Sequence, residues 1–80
     1  MEERRGSPRL RTSKGGSIIF GLAPPIDCIV RNLSDTGAGL DIDFVAAVPD
    51  RFQLLIKPEL TKRHCQVIWR AQGTIGVKFV

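Results

Sequence analysis

The sequence predicts an all-β fold: a small six-stranded antiparallel β-barrel with a flexible basic N-terminal arm. Three observations predict it. Apolar residues recur at every second position in short runs, which is the period of a strand with one buried and one wet face. Clusters of Gly, Pro, Asn, Asp and Ser separate those runs. The chain has 80 residues, enough for one compact domain and too few for two.

Each element follows in order. Residues 1–14 lack apolar periodicity, and Gly6-Ser7-Pro8 interrupts any helix because proline has no N–H to donate. This stretch reads as a flexible arginine-rich arm, with the barrel domain over residues 15–80. Ser17 to Phe20 is a short β-prone run closed by Gly21 and Pro24-Pro25. Ile26, Cys28 and Val30 alternate with Asp27, Ile29 and Arg31. Asn32 to Gly37 has turn chemistry, and Leu40 and Ile42 then alternate with Gly39, Asp41 and Asp43. Residues 43–48 have room for a short helical turn, cut off by Pro49. Phe52, Leu54 and Ile56 form the next alternating run, and Pro58 ends it. Cys65, Val67 and Trp69 follow, alternating with His64, Gln66, Ile68 and Arg70. Gln72-Gly73 is a tight turn, and Ile75, Val77 and Phe79 make the sixth run. Laid flat, six such strands would expose two sheet edges; closure into a barrel removes them. No C-terminal helix is expected after the last strand, and the chain is expected to be a monomer or a homodimer.

Hydrophobic residues make up 42% of the chain and charged residues 25%, the balance of a soluble globular domain. The longest apolar runs, Ile18-Ile19-Phe20 and Leu54-Leu55-Ile56, are too short to span a bilayer. The charged N-terminus lacks the apolar core of a secretory signal, so a cytoplasmic location is expected. Cys28 and Cys65 are far apart and form no C-x-x-C pair, which argues for reduced core thiols and against a zinc site.

Charge is segregated along the chain. Arg4, Arg5, Arg9, Arg11 and Lys14 face Glu2 and Glu3 in residues 1–14, a net of +3. Residues 15–56 carry a net of −3 and residues 57–80 a net of +4. Basic ends favour an anionic partner without choosing one.

No reaction centre is legible, and the chain reads as a binding module, not an enzyme. His64, the single histidine, neighbours Cys65 on one strand, so the two point to opposite faces and cannot act as a nucleophilic pair. Asp41 and Asp43 share a face, most simply a solvated one. Trp69 is expected in the core, with its indole N–H seeking a partner. There is no phosphate-binding loop or dinucleotide fingerprint, no metal site and no cofactor requirement.

Two patterns remain. Arg5-Gly6-Ser7-Pro8-Arg9 sets two arginines four apart, and Asn32-Leu33-Ser34-Asp35-Thr36-Gly37 sets an amide, a hydroxyl and a glycine at a strand end. Taken singly, each is unremarkable; an Asn and a Ser in a turn commonly bond their own backbone. In this order they resemble the R-x-x-x-R and D/N-x-S-x-x-G motifs of the PilZ domain family. The stretches from Ile26 to Ser34 and from Cys65 to Phe79 are similar to short single-domain bacterial members. The resemblance implies a six-stranded barrel and binding of cyclic di-GMP, with Arg5, Arg9, Asn32, Ser34 and Gly37 as ligand-binding residues. Arg4 is an auxiliary contact in this reading, and Arg11 a general electrostatic one. The chemistry suits the ligand. The planar arginine fork binds phosphate oxygens and matches the guanine O6/N7 edge. Asn32 suits a guanine edge or ribose, and Gly37 permits a special φ or a close approach. The implied function is a receptor whose arm becomes ordered on ligand binding and which then signals to a partner protein. A ligand-independent interaction module is the alternative. A small nucleic-acid-binding barrel is a weaker one, because stacking platforms need exposed aromatics.

Overall fold

The computed structural model describes residues 10–80. It contains six strands: β1 (Leu10–Ile19), β2 (Ile26–Leu33), β3 (Gly37–Asp41), β4 (Arg51–Ile56), β5 (Thr61–Ala71) and β6 (Thr74–Phe79). They close into a barrel in the order β1-β2-β3-β6-β5-β4, and every neighbouring pair is antiparallel. The expected all-β barrel is therefore the fold. The connection from β3 to β4 crosses one barrel end, because β6 and not β4 lies beside β3. A single 3-10 turn at Val45–Ala47 lies in that crossing and is the only helical element among the described residues.

The inward residues are those the alternation selects. Ile18, Val30, Leu40, Leu54 and Ile75 are fully buried, with Cys28, Phe52, Ile56, Cys65 and Val77 packed around them. Burying a side chain of this size stabilises by about 1.5–3 kcal/mol, so a few residues from every strand hold the barrel shut. Strand β4 is the most regular: Phe52, Leu54 and Ile56 point in, while Arg51, Gln53 and Leu55 do not.

Four expectations need correction. Residues 10–14 belong to the barrel and not to an arm, since β1 starts at Leu10 and pairs Leu10 with Leu33 and Arg11 with Asn32. This part of β1 is held by ladder hydrogen bonds and by the Thr12 hydroxyl donating to the Val30 carbonyl, so it needs no apolar period. Asn32 and Leu33 likewise lie in strand β2 and not in the turn. Trp69 is outside the core and 48% exposed, because a bulge between Val67 and Trp69 breaks the alternation of β5. Asp43 lies beyond the end of β3, so it does not continue the face of Asp41.

Candidate functional site

The site begins with a bulge. Strand β2 is regular through Val30, which points inward and pairs with Leu40. Strict alternation would then turn Asn32 inward as well. Instead the register with β3 slips, so that Asn32 pairs with Gly39 and Leu33 with Ala38. Ala38 is buried and Leu33 packs against the core, so Asn32 is left on the outer face. One extra residue has re-aimed one amide, which is the usual work of a bulge. On the other side of β2, β1 carries its own irregularity between Arg11 and Lys14.

These slips assemble a row across five strands. Arg11 pairs with Asn32, Asn32 with Gly39, Gly39 with Gly76, and Gly76 with Trp69. The two glycines make space for the side chains beside them. A Cβ on Gly39 would come within 2.8 Å of Asn32 Nδ2, and one on Gly76 within 2.2 Å of Trp69 Nε1. The amide thus lies over one glycine and the indole over the other, an aromatic covering a strand glycine. The outcome is a row on the outside of the barrel with a cation at one end, an amide within it and an aromatic plane at the other.

Beside the row, Arg31 is held flat by Asp41, with Nε to Oδ2 at 2.6 Å, and by the Ser13 hydroxyl at 3.3 Å. Thr74 donates to the same Asp41 carboxylate at 3.3 Å. Arg11, Thr12, Ser13, Arg31 and Asn32 line an open groove of about 840 Å³. Two guanidinium groups, two hydroxyls and an amide suit a polar anionic ligand with hydrogen-bonding edges.

The turn between β2 and β3 closes the barrel end next to this groove. Ser34 Oγ accepts from the backbone N–H of Thr36 and of Gly37, both at 3.2 Å, and Ser34 N–H donates to the Gly37 carbonyl at 2.9 Å. Its hydroxyl therefore sets the turn, as serine does at such corners. Gly37 is required by packing, since a Cβ there would lie 2.3 Å from the Val77 carbonyl oxygen. That is a close approach to backbone, which no side-chain adjustment relieves. The N-x-S-x-x-G pattern thus resolves into one outward amide, one turn-setting hydroxyl and one packing glycine. Arg4, Arg5 and Arg9 lie outside the described residues.

Sequence reasoning missed Arg31 and Trp69 as parts of this surface. Both depend on where bulges fall, although Gly39 and Gly76 within strands were a signal of close side-chain or backbone approach. The cysteines and the histidine lie apart from this groove. Burial and then the neighbouring Asp27 push the Cys28 thiol up to about 12, and burial pushes Cys65 up to about 11. Neither thiol is ionised near neutral pH, and both are free. His64 is exposed, with its ring Nε2 3.5 Å from Gln53 Nε2. No cluster of metal-ligating side chains exists among the described residues, and none of their helices is long and apolar enough to cross a membrane.

The model of the PilZ domain family matches residues 3–80. No curated protein matches the chain.

Proposed function

This chain belongs to the PilZ domain family, whose members are binding modules that generally take cyclic di-GMP, and from that premise we propose that it is a cyclic di-GMP receptor. The observation that carries the reading is the register of β1 on β2. Leu10 pairs with Leu33 and Arg11 with Asn32, so the described part of the chain begins directly beside the N-x-S-x-x-G turn. This start of β1 supports a reading in which the two motifs act together at one corner of the barrel.

In this reading the ligand lies on the outer face of β1, β2 and β3. Asn32 hydrogen-bonds a guanine edge or ribose, and Ser34 keeps the turn in place beside it. Arg5 and Arg9, with Arg4 assisting, bind the phosphodiesters and the guanine O6/N7 edge from above. Arg11 adds to the positive field, and Trp69 offers a plane for a base. Holding the N-terminal segment against the barrel changes the surface offered to a downstream protein, which is how binding would be read out.

Calorimetric titration with cyclic di-GMP tests this. Wild type should bind, and Arg5→Ala and Arg9→Ala should each weaken binding tenfold or more. No heat with wild type at high micromolar ligand would end the proposal. Variants that bind like wild type would end the assignment of the arginines.

A further inference from the structure

We propose that Arg63 is a positioning residue for the candidate site: it clamps the turn that carries Ser34 by holding the Asp35 carbonyl from the far side of the barrel mouth. The inference deepens the receptor reading and rests on it only for the ligand titration.

The argument starts from parity. Arg63 pairs with Leu54, which is fully buried, and Cys65, two residues on, is buried too. Arg63 is thus a charged residue on the inward side of β5, where it is half-buried. An inward cation is costly unless its charge and donors are matched. Two contacts match it here. The guanidinium lies over the Phe79 ring, 4.1 Å from its centre. The flat face is therefore used on the aromatic, which leaves the edge free to donate. From that edge Nη2 donates to the Asp35 carbonyl at 3.4 Å.

The same turn is gripped a second time from the same side. Phe79, the residue under the guanidinium, donates its backbone N–H to the Thr36 carbonyl at 2.8 Å. Consecutive carbonyls of the turn are thus both engaged from β5 and β6. The N–H groups of Thr36 and Gly37 are then left to point at Ser34 Oγ. Rotation of the Asp35–Thr36 peptide would break that arrangement, and Arg63 resists it. Arg63, Ser34, Asp35, Leu10 and Lys14 also border one groove of about 480 Å³ at the mouth, so the clamp stands where β1 begins. The cation at this point acts through the turn and is not itself a phosphate contact.

Amide hydrogen exchange by NMR on the ligand-free full chain tests the clamp without any ligand. In Arg63→Ala the Thr36 and Gly37 amides should exchange about fivefold faster, the equivalent of one hydrogen bond of about 1 kcal/mol, while amides of β4 stay as in wild type. Phe79→Leu removes the stacking plane but keeps an apolar side chain, and should loosen the same two amides. Unchanged exchange at Thr36 and Gly37 in a folded Arg63→Ala chain overturns the inference; if that chain does not fold, Phe79→Leu decides alone. In titrations with cyclic di-GMP, Arg63→Ala should bind about fivefold more weakly, by the same factor at low and high salt. A loss that fades as salt rises would mean that Arg63 acts by its charge on the phosphates, and would also overturn it. Absence of wild-type binding would remove the receptor reading and leave the exchange measurement to judge the clamp.

Discussion

Strands β4 and β2 line the same interior, yet one is a plain wall and the other presents a site. On β4, buried and outward positions alternate without interruption from Arg51 to Ile56. On β2 the alternation holds through Val30, and the slip against β3 then turns Asn32 outward. Strand β5 shows the same device, where a slip between Val67 and Trp69 leaves the indole on the surface over Gly76. The lesson is a division of labour. Regular strands supply the core, and bulges on the strands around them place polar or aromatic groups on one outer face. A core residue on β4 should therefore govern stability, and an outward residue on β2 should govern binding.

The largest expected effect tests the wall. Leu54→Ala on β4 should lower stability by about 2–5 kcal/mol, because Leu54 is fully buried and its removal leaves a cavity. Denaturant unfolding followed by tryptophan fluorescence reads this. A loss under about 1 kcal/mol would mean that β4 is not the anchor claimed here.

Gly37→Ala comes next. Its Cβ would meet the Val77 carbonyl, so β3 and β6 must separate locally, at a cost of about 1–3 kcal/mol. A melting temperature equal to wild type would show that Gly37 is not needed for packing. A purely ligand-contacting role would then be the better account of it.

The third prediction separates binding from folding. Asn32→Ala should weaken cyclic di-GMP binding about tenfold, or about 1.4 kcal/mol, with a stability change of about 1 kcal/mol or less. Should it destabilise the chain as much as Leu54→Ala, the contrast between the two strands fails.

Alkaline titration probes the interior that both strands share. The folded thiols of Cys28 and Cys65 sit at about 12 and about 11, above the ordinary value of 9.0. The unfolded chain therefore loses its thiol protons first. Stability from these two groups is complete below pH 9 and is lost as pH rises from there towards 11–12, by up to about 1.4 kcal/mol per pH unit for each thiol. Unfolding curves of wild type and of a Cys28→Ala/Cys65→Ala chain, compared across that window, measure it. A slope unchanged by removing both thiols would refute it.

The smallest effect belongs to the exposed pair beside the site. Asp41→Asn should change stability by about 0.5 kcal/mol or less, since surface ion pairs contribute little. It also releases Arg31 from its 2.6 Å partner, so ligand binding should hold or tighten. A clear loss of affinity would show that Arg31 serves the ligand only when Asp41 holds it in place.

Much of this was legible before the fold was known. Period-two spacing marked Ile26, Cys28 and Val30, then Phe52, Leu54 and Ile56, as inward because a side chain that alternates on a pleated strand has only two faces. Ser34 and Gly37 were legible as turn residues for local reasons. The two misplacements differ in cause. Unbroken alternation puts Trp69 inside, and the bulge in β5 turns it out. The start of β1 at Leu10 carries no apolar period and is held by its pairing with β2. Neither is visible locally, since a bulge and a ladder are each defined by two strands and not by one.

The sequence by itself determined the class of fold, the core residues and the two motifs, because these rest on side-chain period and turn chemistry within a few residues. Only the tertiary structure decided that Asn32 faces outward, that Arg11 stands beside it and that Trp69 covers Gly76. It alone joined Arg63 and Phe79 to the turn. The physical reason is register: which residues oppose one another across a closed sheet depends on where each strand slips against its neighbours, and a slip of one residue exchanges the inside of the barrel for its surface.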